Sequence, residues 1–445
     1  MKTQDMTQGV IYKQVLLFFI PIVAGSFFQH FYSIVDAIVV GRGLGYLEFA
    51  AVSGSASKLI VLITNFFLGV SVGITVYASR YFGKKDFLTL KGVIANGLVL
   101  FGTMGLVLSG LCIVFAVPYL NMMGTPEDTM AYAQAYMNTY MAGMVFCVIY
   151  NTLAGVLRAL GDAKRPLYVL AFCSVLNIVL DVLFALVLSW GVMGVALATV
   201  ISQAVSAVIL AKILKDTLKG TATYRFHLDG TLLKEVAAMG IPSGVQSMMF
   251  SLSNMAVQSA VNTFHTVTVA GWGAYLKIDS IADVFLTSLS SAVTPFIGQN
   301  LGAGKIGRMK EAMRQIMIIS YIMMAVVTAV FLLFSHQLLS LFTTEADVVA
   351  VGVQVMWVIL PMYLLGIPQR MYSTAIRGFG KSMGPMWLSL IGVVGLRFVW
   401  VYVILPLNPT ILMLGLCYPV CSLLMSVVFT VYYKKELKLV EQLQP

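Results

Sequence analysis

Charged residues are scarce in this sequence of 445 residues, in which Asp, Glu, Lys and Arg together make up 10%. Soluble domains contain about 25% charged residues. Here 59% of the residues are hydrophobic and the mean hydropathy is +0.92. This composition excludes an ordinary set of soluble domains. It predicts an all-α polytopic membrane protein that crosses the bilayer many times.

Histidine and cysteine are also rare, at 4 and 5 residues. The histidines are scattered, without an HExxH pattern, and Cys417 and Cys421 have no His or acidic neighbour in sequence. Cysteines within apolar runs are usually small buried side chains, so we expect no metal site there. The His/Asp or Ser/Lys cluster that a membrane-embedded enzyme needs is not visible either. The sequence therefore predicts a protein that is not an enzyme and needs no cofactor.

Twelve apolar runs are long enough to cross a membrane, for which a helix needs about 20 residues. The first run directly follows a short segment with Lys2 and Lys13, which is typical of a transmembrane helix rather than a cleaved signal peptide. The twelve runs cover residues 14–40, 50–79, 92–116, 131–156, 167–189, 192–211, 235–263, 268–297, 315–335, 348–375, 383–405 and 410–433.

The basic residues lie mainly in alternate loops. With both termini in the cytoplasm, the inner loops contain most of the 28 Lys and Arg residues, whereas the outer loops contain only Arg42. This asymmetry follows the positive-inside rule and predicts a multi-pass protein of the cytoplasmic membrane with cytoplasmic termini. It also accounts for the formal net charge of +10 without a nucleic-acid partner.

The two halves of the chain resemble each other. At a shift of 219 positions Arg158 pairs with Arg377, and at a shift of 221 positions Pro21 pairs with Pro242. Because six is an even number of spans, the halves have the same orientation, as two parallel six-helix bundles related by a pseudo-twofold axis along the membrane normal. This 6+6 repeat is typical of alternating-access transporters. We predict an N-terminal lobe at 1–215, a cytoplasmic linker at 216–232 and a C-terminal lobe at 233–445.

One acidic residue, Asp36, lies in the first apolar run. A charge in the hydrocarbon costs on the order of 3 kcal/mol by insertion scales, so such residues indicate function. Helical spacing places Asp36 on one stripe with Gln29, Tyr32 and Ser33, which we predict to line a cavity.

The fifth and sixth runs also contain polar stripes. Asn177 and Asp181 share a helix face in the fifth run, and the sixth offers Thr199 and Gln203. At the equivalent positions of the second half the repeat has Val257, Leu396 and Trp400 in place of Asp36, Asn177 and Asp181. The acidic cluster therefore belongs to the first half alone.

Oxygen ligands suit hard cations, and two carboxylates in one dry site can hold a proton or exchange it for Na⁺. We therefore predict a cation or proton site at Asp36, Asn177, Asp181 and Thr199, with Gln203 as a cavity-lining residue.

The second half contains polar residues of a different kind. Asn254 and Gln258 form a stripe in the seventh run, and Asp279 and Asp283 lie four positions apart in the eighth. We include these four residues among the candidates that line a cavity or bind a drug. Structural ion pairing of the two acids with Lys277, Arg370 or Arg397 remains an equal alternative.

Several segments resemble the multidrug and toxic compound extrusion (MATE) family. They are "PIVAGSFFQHFYSIVDAIVVGRGLG" in the first run, "LRALGDAKRP" after the fourth, "NIVLD" in the fifth and "PFIGQNLGAGK" after the eighth. The similarity covers essentially the whole chain. It implies export of organic cations and other xenobiotics in exchange for H⁺ or Na⁺. It also implies that Asp36, Asn177, Asp181 and Thr199 form the cation site of the N-terminal lobe, and that Pro21 is the bend point of the first helix.

The sequence departs from one branch of that family. Sodium-coupled members of this branch have carboxylates on the seventh and tenth helices, near the places where this chain has Phe250 and Gly366. This departure argues against sodium coupling through the C-terminal lobe and favours the Asp36/Asp181 site of the N-terminal lobe. At that site both H⁺ and Na⁺ stay open as the coupling ion, and we favour H⁺. We expect a monomer in the lipid bilayer that exports small organic, mostly cationic solutes. The alternative is a flippase for a lipid-linked oligosaccharide or another polyprenyl-phosphate lipid, which predicts a cationic cavity of Lys277, Arg370 and Arg397 away from Asp279 and Asp283.

Overall fold

The computed structural model describes residues 4–443, apart from the side chains of Ser33, Arg42 and Leu443. All regular structure in this range is helical. Hydrocarbon offers the backbone no hydrogen-bond partners, and a helix satisfies its N–H and C=O groups internally. The predicted all-α fold is confirmed.

The first half of the chain forms six long helices. Two of them are interrupted: α2 at Gly54, between Tyr46–Ser53 and Ser55–Gly83, and α4 at Gly143, with a bend of 46°. The six helices are α1 (Ile11–Gly43), α2 (Tyr46–Gly83), α3 (Phe87–Val114), α4 (Glu127–Ala142 and Met144–Ala159), α5 (Lys164–Asp181, continued by the π-helical turn Val182–Val187) and α6 (Gly191–Thr217).

The second half repeats this order. Its fourth helix is again broken with a bend of 46°, here at Leu360 and Pro361. The six helices are α7 (Gly230–Val261), α8 (Thr266–Gly302), α9 (Ile306–Leu333), α10 (Ala346–Ile359 and Met362–Gly378), α11 (Met383–Leu407) and α12 (Ile411–Leu443).

Most of these helices are long and apolar enough to cross a membrane. Within the described residues nine helices meet that condition, or up to eleven when each bent pair counts as one span. The one remaining predicted span, the seventh run at 235–263, corresponds to α7. This helix has 32 residues but does not meet the hydropathy condition. The polar stripe of α7, with Gln246, Asn254 and Gln258, lowers its hydropathy. The helix order matches the predicted twelve-helix, two-repeat fold.

Two compact units can be distinguished by their internal contacts. Unit 1 contains Ile20–Gly244 and the residues up to Asp5, and unit 2 contains Met6–Phe19 and the residues from Val245 onward. The division falls inside α1 and α7, in each case within three residues of a proline, Pro21 or Pro242. The lobe boundaries at 1–215, 216–232 and 233–445 stay a prediction.

In unit 1, α2 and the first part of α7 approach each other through small residues. A Cβ added at Gly73 would lie 2.7 Å from the carbonyl oxygen of Val236, and one added at Gly240 would lie 2.7 Å from that of Val70. Glycines spaced four apart on both helices, in "GVSVG" and "GIPSG", allow this backbone contact.

The loops that were predicted to be cytoplasmic meet on one side of unit 1. Lys91 donates to the carbonyl of Ala222 over 2.7 Å, and Arg165 donates to the Thr217 hydroxyl over 2.6 Å. Asn96, fully buried on α3, binds the linker through the backbone of His227 and Asp229. These contacts join the start of α3 to the linker and the start of α5 to the end of α6.

Unit 2 shows the same arrangement. Lys381, before α11, pairs with Glu436 near the end of α12, and Lys310 on α9 pairs with Glu441. The N-terminal residues 6–9 lie beside the first turn of α9, where Arg308 donates to the backbone carbonyls of Met6, Gln8 and Gly9. Within each unit, the basic loops therefore share one side, as the positive-inside pattern predicts.

Candidate cation site

The candidate site in unit 1 is built on α1, α5 and α6. The helices α1 and α5 run close together because glycines of α1 face leucines of α5: a Cβ at Gly25 would lie 3.5 Å from Leu170, and Gly43 packs against Leu186. This packing positions the middle of α1, including Asp36, beside the last turns of α5.

Asp36 and Asp181 face each other within hydrogen-bonding range of their carboxyl groups. Asp181 is fully buried and Asp36 is partly buried. Neither forms an ion pair with a described basic residue. Both carboxyl oxygens of Asp181 and Oδ1 of Asp36 are buried and accept no hydrogen bond from any described group. Two acids held together without a counter-charge can share a proton or bind a cation.

Asn177 and Thr199 complete the set of oxygens. Asn177 lies one helical turn before Asp181 and is 3% exposed. Its Nδ2 donates to the Thr199 hydroxyl on α6 over 3.4 Å, which directs the amide oxygen the other way. That oxygen is also buried without a described donor. The Thr199 hydroxyl donates to the carbonyl of Val195 and accepts from Asn177, so one of its two lone pairs remains available to a cation.

The structure thus brings together the four residues that the sequence predicted as a cation site. Four buried carboxyl or amide oxygens, from Asp36, Asn177 and Asp181, lack donors in the described part of the chain. Buried oxygens of this kind are costly unless a proton or cation satisfies them. All the atoms that could bind an ion at this site are oxygens, which suits H⁺ or Na⁺.

Tyrosines of α4 adjoin this site, and sequence reasoning missed them. Tyr136 is buried and interacts electrostatically with both Asp36 and Asp181, and also with Tyr32 on α1. Tyr140, one turn later, accepts a hydrogen bond from Nε2 of Gln203 over 3.3 Å. The two tyrosines lie four positions apart on one helix face, a spacing that could have identified them.

The predicted cavity residues of α1 and α6 have different surroundings. Tyr32 interacts with the tyrosines of α4, and Gln203 contacts Tyr140 while its own Oε1 is buried without a donor. Gln29 is exposed. The side chain of Ser33 lies outside the described residues.

A wide helical turn follows Asp181 directly. The α5 helix changes there to the π-helical segment Val182–Val187. At the 219-residue shift of the repeat, this segment overlaps the π-helical turn Trp400–Ile404 of α11. Such turns widen the helix locally and are frequent at functional sites.

The acids of α8, in unit 2, are both satisfied. Asp279 accepts hydrogen bonds from the hydroxyls of Tyr275 over 2.8 Å and Tyr363 over 2.9 Å. Asp283 forms an ion pair with Arg370 over 2.7 Å. Structural pairing, the alternative given above, therefore describes Asp283, whereas tyrosines rather than a cation hold Asp279.

The polar stripe of α7 is engaged in side-chain pairs of unit 2. Asn254 accepts a hydrogen bond from Arg397 over 2.6 Å, and Gln258 donates to Asn262 over 3.0 Å. Lys277 is exposed and forms no ion pair with a described acid. The candidate residues of the second half therefore do not form a second cluster of unsatisfied acids.

Comparison with known proteins decides the family. A model of the MatE family matches residues 21–183 and again residues 242–403. The chain belongs to the MatE family. The two matches begin at Pro21 and Pro242, which are 221 positions apart, so the internal repeat inferred from the sequence is also a repeat of the family model. The resemblance to MATE transporters is confirmed.

Named relatives of this MATE-family protein cover nearly its whole length. The probable multidrug resistance protein YoeA of Bacillus subtilis is 30% identical over 406 residues, 89% of this chain and 87% of the relative. The probable multidrug resistance protein YpnP of the same organism is 31% identical and covers 89% of both chains.

Solved structures support the fold. A MOP superfamily transporter from Pyrococcus furiosus is 22% identical, covers 99% of each chain and has a TM-score of 0.89. The protein is thus a multi-pass transporter of the cytoplasmic membrane, from the MATE family of multidrug efflux transporters, as predicted.

Proposed function

We propose that this MATE-family protein exports small organic, mostly cationic solutes in exchange for a cation that binds at Asp36 and Asp181. We take H⁺ as the favoured coupling ion, with Na⁺ as the second candidate. The observation that carries this proposal is the pair of facing carboxyl groups without a counter-charge. A purely structural pair of acids would be destabilising, because like charges repel and buried oxygens lose their hydration.

The mechanism that follows is exchange by alternating access. A solute binds from the cytoplasm, and a cation that arrives from outside binds between Asp36 and Asp181. Its binding changes the interactions of α1, which contributes Asp36 and contains Pro21. We propose that α1 bends at Pro21, where the missing N–H leaves the carbonyl of Leu17 without its helical partner. Thermodynamic linkage requires that ion and solute weaken each other's binding in at least one state.

The drug-exporter role rests on the family and on the names of the two relatives from Bacillus subtilis. The flippase alternative predicted three basic residues apart from the acids of α8. Arg370 instead binds Asp283 directly, so one of the three positive charges that a pyrophosphate site would need is neutralised. This pairing favours the exporter.

The test of the proposal uses proteoliposomes with an imposed pH or Na⁺ gradient. Asp36→Asn should reduce gradient-driven export of a fluorescent organic cation by at least about tenfold, since the amide keeps the shape but cannot exchange a proton or hold a cation as well. Export should follow the pH gradient alone if H⁺ is the coupling ion, and the Na⁺ gradient alone if it is Na⁺.

Asp128→Asn is the matched control, because it removes a carboxylate of the same half at the start of α4, on the outer side. It should leave export within about twofold of the original rate. Pro21→Ala should slow export without abolishing binding of the organic cation. Undiminished gradient-driven export by well-expressed Asp36→Asn would refute the proposed coupling site.

A further inference from the structure

Arg397 carries a positive charge near the middle of a membrane span. It lies on α11, ten residues before Leu407, which corresponds to about 15 Å along a helix. A charge at such a depth is costly and indicates a functional role by default.

The contacts of Arg397 in unit 2 are with neutral groups. Its Nη1 donates to Oδ1 of Asn254 over 2.6 Å and lies 3.5 Å from the Ser253 hydroxyl. The guanidinium lies over the ring of Tyr418, 4.6 Å from its centroid, and Trp272 packs beside that ring. The Nε–H is buried and has no acceptor among the described residues.

Arg370 of the same unit shows how an intramembrane arginine is otherwise neutralised. It pairs with Asp283 and also donates to the Thr287 hydroxyl over 2.7 Å. Arg397 has no described carboxylate partner. At the 219-residue shift of the repeat its position corresponds to Ile178, so the charge is not a feature that the fold requires in both halves.

The free edge of the Arg397 guanidinium matches an oxyanion. Guanidinium donors form a planar fork that binds a carboxylate or phosphate through two parallel hydrogen bonds. Stacking on Tyr418 fixes the plane of this fork. Asn254 is exposed, and because its oxygen accepts from Arg397, its amide N–H groups can donate to a ligand.

We propose that Arg397, Asn254 and Tyr418 form a binding site for an oxyanion group, a carboxylate or phosphate, of the exported solute. The proposal depends on the proposed function only in taking an organic solute as the ligand. Asp36 and Asp181 bind the coupling cation, and Arg397 selects solutes by their negative group.

The test measures binding to the purified full-length protein in detergent, by fluorescence anisotropy. The probes are rhodamine B, which carries a carboxylate, and its ethyl ester, which does not. Arg397→Gln should raise the Kd for rhodamine B by at least about tenfold, the loss expected for a charge-assisted hydrogen-bond pair, and leave the Kd for the ester within about twofold.

Two further variants keep the test independent of folding. Asn254→Asp keeps Arg397 but gives it an internal carboxylate, so it should also weaken rhodamine B selectively. Lys277→Gln, the matched control, removes an exposed positive charge from the same unit and should not change the ratio of the two affinities. All variants are first compared by size-exclusion chromatography.

Equal effects of Arg397→Gln on both dyes, or none, would overturn the proposal. So would displacement of rhodamine B by added phosphatidylglycerol in the original protein but not in Arg397→Gln, because the site would then serve a lipid phosphate. The assay involves no gradient, so failure of the cation coupling at Asp36 would leave its result intact. If Arg397→Gln weakens the binding of rhodamine B alone, and Asp36→Asn is inactive in gradient-driven transport, the two results support the two proposals separately.

Discussion

Asp181 contributes two buried carboxyl oxygens that no described donor satisfies, beside a second acid. Such an arrangement opposes folding, since both like-charge repulsion and desolvation act against it. Natural proteins retain destabilising groups mainly where function needs them. The residue is therefore expected to lower stability while it serves transport.

Asp181→Asn should separate these two effects. The amide can donate to Asp36 and removes one negative charge, so the melting temperature of the protein in detergent should rise, and more at alkaline than at acidic pH. Gradient-driven export should fall at the same time. Thermal unfolding followed by fluorescence checks the first effect. A lower melting temperature at every pH would mean that Asp181 is needed for structure instead.

Among the single residues of the site, the acids and amides could be recognised from the sequence, whereas the tyrosines could not. Asp36, Asn177, Asp181 and Thr199 stand out because polar groups at helical spacing are rare in apolar runs. Tyr136 and Tyr140 do not, since tyrosine is common in membrane helices near the interface. The electrostatic interaction of Tyr136 with Asp36 and Asp181 in the folded structure shows that it belongs to the site.

Among the helices, α2 and the first part of α7 make a contact that depends on glycine. At Gly73 the nearest atoms to an added Cβ belong to the backbone of Val236 and Gly240, at 2.7 and 2.8 Å. Real Cβ atoms do not approach backbone atoms so closely, and the backbone cannot move aside as a flexible side chain can.

Gly73→Ala should therefore destabilise the protein by about 1–3 kcal/mol, as overpacking of a close contact does. Gly102→Ala on α3 provides the control, because no atom lies within 4 Å of its added Cβ. That change should be neutral or slightly stabilising, given the better helix propensity of alanine. The melting temperature in detergent should fall for Gly73→Ala and should stay the same or rise slightly for Gly102→Ala. Equal shifts of the two variants would contradict the contact.

The boundaries of the helices were less predictable than their order. The run predicted at 268–297 extends to Gly302 in α8, a helix of 37 residues, because hydropathy detects apolar residues rather than helix ends. The run at 348–375 is broken at Leu360 and Pro361. Proline lacks a backbone donor and permits such a break, but composition alone does not show whether it occurs.

For the molecule as a whole, the N-terminal segment forms a long-range contact within unit 2. Arg308 donates to the carbonyls of Met6, Gln8 and Gly9 over 3.1, 2.9 and 2.8 Å and to the side-chain oxygen of Gln14. Met6 itself is 1% exposed. One guanidinium thus attaches the start of the chain to the first turn of α9, almost 300 positions away.

Arg308→Met keeps the aliphatic length of the side chain but removes these hydrogen bonds. We expect faster hydrogen exchange in residues 6–14, measured by mass spectrometry, and a loss of roughly 1–3 kcal/mol in stability. Arg314→Met removes an exposed charge from the same helix, α9, and should leave exchange in residues 6–14 unchanged. Unaltered protection in Arg308→Met would show that other contacts hold the segment.

Composition, the alternation of basic loops and the repeat by themselves determined the all-α class and the twelve-helix, two-repeat order. These properties follow from the solvent, since hydrocarbon excludes charge and unpaired backbone along the whole chain. Tertiary structure alone decided which polar groups meet. In the folded structure Asp36 faces Asp181, Asp283 pairs with Arg370, and Arg397 contacts neutral groups. The distances between these charges are set by the packing of the helices and not by the spacing of residues along one helix.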